Sequence, residues 1–116
     1  MKINKFNLAI GLSLALLLAY WVWDIAYGRE NHIVAGIGSL ISFTIALLPM
    51  MGISYENTRV VVNVRSASTV FFLIMLINNF GFALWGVRMP LYVIITGILT
   101  LVDLSIIYKL SKMDYN

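Results

Sequence analysis

Four apolar stretches, residues 6–27, 33–53, 66–87 and 90–108, leave little of the chain for anything else. Each is close to the ~20 residues that an α-helix needs to cross a ~30 Å hydrocarbon layer at ~1.5 Å per residue. A soluble domain interrupts such runs with charge, typically on about a quarter of its residues. Here only 11% of the 116 residues are charged, 61% are hydrophobic, and the charges gather between the runs. Lipid offers a peptide group no hydrogen-bond partner, so a spanning segment closes its bonds within a helix or around a closed barrel. The sequence lacks the alternating ten-residue segments of a barrel. The expected fold is therefore all-α: a polytopic four-helix transmembrane bundle, one integral membrane domain over residues 1–116.

The first run follows Lys2 and Lys5, as the core of a secretory signal would. No small-x-small cleavage pattern closes it, and Tyr20, Trp21, Trp23 and Asp24 follow, so it is expected to stay as the first span. An excess of Lys and Arg marks the cytoplasmic side. With the N-terminus inside, Lys2, Lys5, Arg59, Arg65, Lys109 and Lys112 are cytoplasmic and only Arg29 and Arg88 lie outside. Both termini are thus expected in the cytoplasm, N-in/C-in. Trp21, Trp23, Trp85, Tyr20, Tyr27 and Tyr92 then form an outer aromatic belt, with Phe6, Tyr55 and Tyr108 near the inner interface. A compact chain without targeting additions fits a bacterial-type inner membrane.

Short connections at residues 28–32 and 88–89 make helices 1 and 2, and helices 3 and 4, antiparallel neighbours. Pro90 suits the first position of helix 4, where a missing N–H costs nothing. The longest connection, residues 54–65, is expected as a cytoplasmic connector. Arg59, Asn63 and Ser66 share a helical face with Val60, Val61 and Val64 opposite, which suggests a short interfacial helix or an extension of helix 3, against a merely solvated connector. Disorder is expected only after Lys112.

Several chemistries lack their residues. The chain has no cysteine, so it has no disulfide, thiolate metal site or cysteine nucleophile. His32 is the single histidine and has no companion at metal-ligand spacing. No Ser/His/acid set shares a depth, and no zinc or phosphate-loop motif occurs. The expectation is a protein that is not an enzyme and uses neither metal nor cofactor. The net charge of +3 comes from dispersed residues at the ends of the spans, which topology explains better than nucleic acid does.

Interest therefore falls on polar and small residues inside the spans. Small residues four apart let helix backbones approach in lipid, where packing replaces the hydrophobic effect as the driving force. Helix 1 carries Asn7, Gly11, Ala15 and Ala19 at that spacing, and helix 2 carries Gly38, Ser42 and Ala46. Such seams join helices of one chain or of two. Adjacent positions on a helix point ~100° apart, so Asn78 and Asn79 imply that helix 3 meets two neighbours at mid-depth. Depth counting puts them near Thr44 and Thr100, and puts Asp103 near Ser13, so all four helices are expected to feed one polar band. Thr96, Thr100 and Asp103 share one face of helix 4.

Asp103 is the only ionisable side chain well inside a span, where a carboxylate costs ~2.5 kcal/mol or more and raises a functional-site hypothesis by default. One reading is a proton or cation site in which Thr100, Asn78 or Asn79 supply further oxygens. The other is a carboxyl that fixes helix register through a hydrogen bond or through Lys109. Asp24, at the outer end of helix 1, is an anchor expected to pair with Arg29 or Arg88.

In length and helix number the chain is similar to small multidrug resistance transporters and to bacterial fluoride channels. It has no acid between Phe6 and Trp23, where the former carry a central glutamate. It also lacks the glycine-rich arginine motif and threonine-phenylalanine track of the latter, so no family is recognised. Two functional classes follow. The preferred one is a small accessory or regulatory membrane protein acting by helix contacts with itself or with a larger membrane partner. The alternative is a homo-oligomeric channel or transporter for a proton, cation or small solute, using Asp103.

Overall fold

The structure, a computed structural model, describes residues 2–28, 31–54, 58–86, 88 and 90–112. Four helices carry the fold: α1 (Lys5–Ala26), α2 (His32–Leu47), α3 (Thr58–Trp85) and α4 (Leu91–Lys112). With the turn that continues α2 as far as Gly52, all four are long and apolar enough to cross a membrane, so the chain is an integral membrane protein of the multi-pass kind. α2 and α3 lie in the middle, α1 packs on one side of them and α4 on the other. The resulting slab measures 52 × 27 × 15 Å.

α1 opens on Asn4, whose side-chain Oδ1 accepts from the Asn7 N–H at 3.1 Å and so satisfies one of the free donors of the first turn. Its buried stripe, Gly11, Ala15, Ala19, Val22 and Ala26, contains three of the four small residues expected to form a seam, and the seam is used within this chain. A Cβ on Gly11 would meet Met51 and Leu47 at 3.4–3.7 Å, so the helix here lies against the far end of α2.

The second span is not α-helical to its end. Pro49 has no N–H to give, and Leu48–Gly52 relaxes into a wider π turn. Ile53–Ser54 is then extended and pairs antiparallel with Lys2–Ile3, Ile3 opposite Ile53. The Asn4 N–H adds a bond to the Gly52 carbonyl at 2.9 Å. This two-residue clip, unforeseen from the sequence, ties the start of the chain to the exit of the second span.

The expected connector over residues 54–65 is largely absent as a connector, because α3 begins at Thr58. Val60 and Val64, one turn apart, are buried while Arg59 and Arg65 stay exposed, so an amphipathic pattern continues the helix beyond the apolar run. At ~1.5 Å per residue its 28 residues reach about 42 Å, more than the hydrocarbon layer requires. Tyr55 and Arg29 lie outside the described residues, as do the last four residues of the chain.

Candidate functional site

Asn78 and Asn79 sit on α3 where α2 and α4 both approach; Asn78 bonds α4, and Asn79 bonds both α2 and α4. Asn78 Nδ2 donates to Thr96 Oγ1 of α4 at 3.0 Å, and more weakly to Asn79 Oδ1 at 3.4 Å. Asn79 Nδ2 donates to Ser42 Oγ of α2 at 3.0 Å, and the Tyr92 hydroxyl donates to Asn79 Oδ1 at 2.8 Å. Ser42 Oγ in turn donates to the Ser39 carbonyl at 3.3 Å. Asn79, Ser42 and Tyr92 are fully buried, so the network replaces water for groups that lipid would leave unpaired. It joins three helices by side chains alone.

Tyr92 is the residue that the sequence reading misplaced. Expected in the outer aromatic belt, it is instead 1% exposed, its ring edge-on to Phe82 at 5.1 Å between centroids. The signal was Gly38 on α2: a Cβ there would come within 2.6 Å of the Tyr92 hydroxyl and 2.8 Å of its ring. Gly38, expected as a seam for a helix backbone, is thus the seat of a tyrosine. Ser39, also buried on α2, has a hydroxyl with no hydrogen-bond partner among the described residues. Ala46 is buried in the core, farther along α2.

The other members of the expected polar band do not join. Thr44 Oγ1 donates to the Leu40 carbonyl and Thr100 Oγ1 to the Thr96 carbonyl, each within its own helix. Ser13 does the same with Ala9 and is exposed, so α1 contributes nothing to the band. A hydroxyl four residues from a helix carbonyl finds that partner without any tertiary contact, which explains the loss.

Asp103 is also separate. It is 4% exposed and lines a cavity of about 250 Å³ between α3 and α4, with Ala67, Val70, Phe71, Ile74, Leu99 and Val102 among its walls. Its Oδ2 has no hydrogen-bond partner among the described residues. Thr100, expected to supply it with an oxygen, lines a different and larger groove of about 480 Å³ between α2 and α4, together with Thr96 and Gly97. The residues that the ion-site reading brings together therefore lie in three places: Asn78 and Asn79 in a closed amide network, Thr100 on the α2–α4 groove, and Asp103 as an isolated carboxyl.

At the opposite end of α1, Trp23, Tyr27 and His32 form a packed ring cluster, with centroids 5.0–6.1 Å apart. Trp21 and Trp85 are exposed, Trp21 with its ring edge-on to Phe80. The Asp24 carbonyl caps the end of α1 by accepting from the Tyr27 N–H, and its carboxylate forms no ion pair with Arg88. Among the described residues no group of three His, Cys, Asp or Glu side chains could hold a metal ion.

Compared with known proteins, the chain matches no family model, no curated protein and no solved structure.

Proposed function

We propose that the chain is a small accessory or regulatory integral membrane protein that acts through helix–helix contacts with itself or with a larger membrane protein, and has no catalytic activity of its own. The observation that supports this is the packing of α4. Its buried residues are Tyr92, Thr96 and Asp103, and no aliphatic side chain is among them. Helix association in lipid depends on close van der Waals packing, and on α4 the aliphatic share of it is small, with Leu99 only partly buried against the core. Ile94, Ile98 and Leu101 leave an aliphatic ridge bare beside the groove on the α2 side. A further helix laid on that ridge supplies the packing that α4 lacks. The N-in/C-in orientation and a bacterial-type inner membrane belong to the same reading.

The chain has no cysteine, which makes the test direct. Single cysteines at Ile98 or Leu101 on α4 are expected to cross-link in native membranes to a second copy or to one partner of defined mass. Cysteines at Leu16 or Leu17, on the exposed side of α1, are expected not to. Equal cross-linking at both helices, or none at either, overturns the proposal.

The unpaired Asp103 carboxyl favours a second reading, a homo-oligomeric pathway for a proton or cation completed at an interface between copies. One chain of four helices has little room to enclose a hydrated path alone.

A further inference from the structure

Asp103 presents an unusual combination: a nine-tenths-buried carboxyl with a free oxygen, on the wall of a cavity whose other residues are apolar. Ionised, the group lacks a donor for Oδ2; protonated, it lacks an acceptor. Buried polar atoms are rarely left so. Lys109, about one and a half turns along α4, lines an adjoining cleft that shares Val102 and Ile106 with this cavity, and forms no ion pair with the carboxylate.

We propose that the α3–α4 cavity is a binding site for small lipophilic ammonium ions, with Asp103 as the counter-charge. Three features restrict the class. The charge of the wall is that of one carboxylate, so the matching ligand is a monocation. A hard cation such as Ca²⁺ takes six to eight oxygens and Mg²⁺ about six, whereas Asp103 is the only residue on these walls with a side-chain oxygen. An ammonium needs one charge-assisted bond and buries the rest of its surface on carbon. At about 250 Å³ the cavity is smaller than the ~300–1,000 Å³ of ordinary drug-sized sites, which limits the ligand to one ring or a short branched chain. Val70, Ile74, Val102 and Ile106 are exposed at its rim, so entry is from the apolar side, by a molecule already dissolved in the bilayer. Phe71, buried on the wall, offers a ring to a cation or to an aromatic ligand. The site stands apart from helix contacts through the Ile94–Leu101 ridge, and binding there requires no transport.

The test uses the full chain in phosphatidylcholine nanodiscs, whose zwitterionic surface does not itself collect cations, with equilibrium dialysis corrected by protein-free discs. The probes are N,N-dimethylbenzylammonium and its uncharged carbon counterpart of the same shape, isobutylbenzene. The ammonium is expected to bind one site per chain, and Asp103→Asn to weaken it about ten- to a hundredfold while leaving isobutylbenzene unaffected. Ala67→Phe, which fills the cavity without altering the carboxyl, is expected to abolish binding of both probes. Thermal unfolding of each variant checks that the bundle is intact. Equal affinity of the two probes for the wild type, or ammonium binding that survives both substitutions, overturns the proposal.

Discussion

The Tyr92 hydroxyl stands over the α-carbon of Gly38 so closely that a Cβ at that position would lie 2.6 Å from it. The same hydroxyl donates to Asn79, so one bare position on α2 decides whether α4 can reach the amide on α3.

Gly38→Ala should therefore displace Tyr92 and open the network. Overpacking of a fitted site costs about 1–3 kcal/mol, and the lost hydrogen bond adds to it. Gly97→Ala is the control, because a Cβ at Gly97 meets nothing within 4 Å and alanine is the better helix former. Reversible unfolding in mixed micelles should show the first variant clearly destabilised and the second unchanged or slightly more stable.

The Tyr92–Asn79 bond can be isolated by a double-mutant cycle with Tyr92→Phe and Asn79→Ala. Coupling energies for interhelical hydrogen bonds in membranes average ~0.6 kcal/mol and reach ~1.7 kcal/mol. A value toward the upper end is expected, since both groups are fully buried and Asn79 Oδ1 otherwise has only the 3.4 Å contact with Asn78. A coupling near zero would mean that the two side chains do not meet.

Asp103→Leu should make the bundle more stable, by about 1–3 kcal/mol, because it removes a desolvated group without orphaning any partner. The adjacent cavity gives the larger side chain room. Loss of stability in the same unfolding assay would show that the carboxyl is paired and serves the packing of α3 on α4.

Asn4→Ala removes the side-chain acceptor that caps the start of α1 and should cost about 1 kcal/mol locally. Hydrogen exchange is expected to rise at the first turn of α1 and, through the bond from Asn4 to Gly52, at the clip formed with Ile53. The amides of α3 around Asn79 are expected not to respond.

The helices were legible because apolar run length is a property of the chain itself, independent of what packs where. Their ends were less so. Pro49 lies within an apolar run, and only its missing N–H shows that the α-helix stops before Gly52; the valines before Ser66 continue α3 because their burial, not their hydropathy, selects the helix. The asparagine pair was readable in part: adjacent positions on a helix point ~100° apart, so the pair reaches both α2 and α4, yet Asn79 also accepts from Tyr92 on the same α4 that Asn78 meets. Tyr92 was not, because a tyrosine near a span end serves equally as a belt residue or as a buried donor, and the choice depends on Gly38, more than fifty residues away. The separation of Asp103 from the amides was likewise invisible: residue counting gives depth, but not which side of α3 a neighbouring helix occupies.

The most direct measurement is proton and alkali-cation flux into liposomes holding the wild type or Asp103→Asn, with the assembly state of both checked. No flux from either protein, across pH and ions, is the result expected of a chain that works through helix contacts. Flux in the wild type that disappears in Asp103→Asn, with assembly unchanged, would contradict it and make the carboxyl part of a transport pathway.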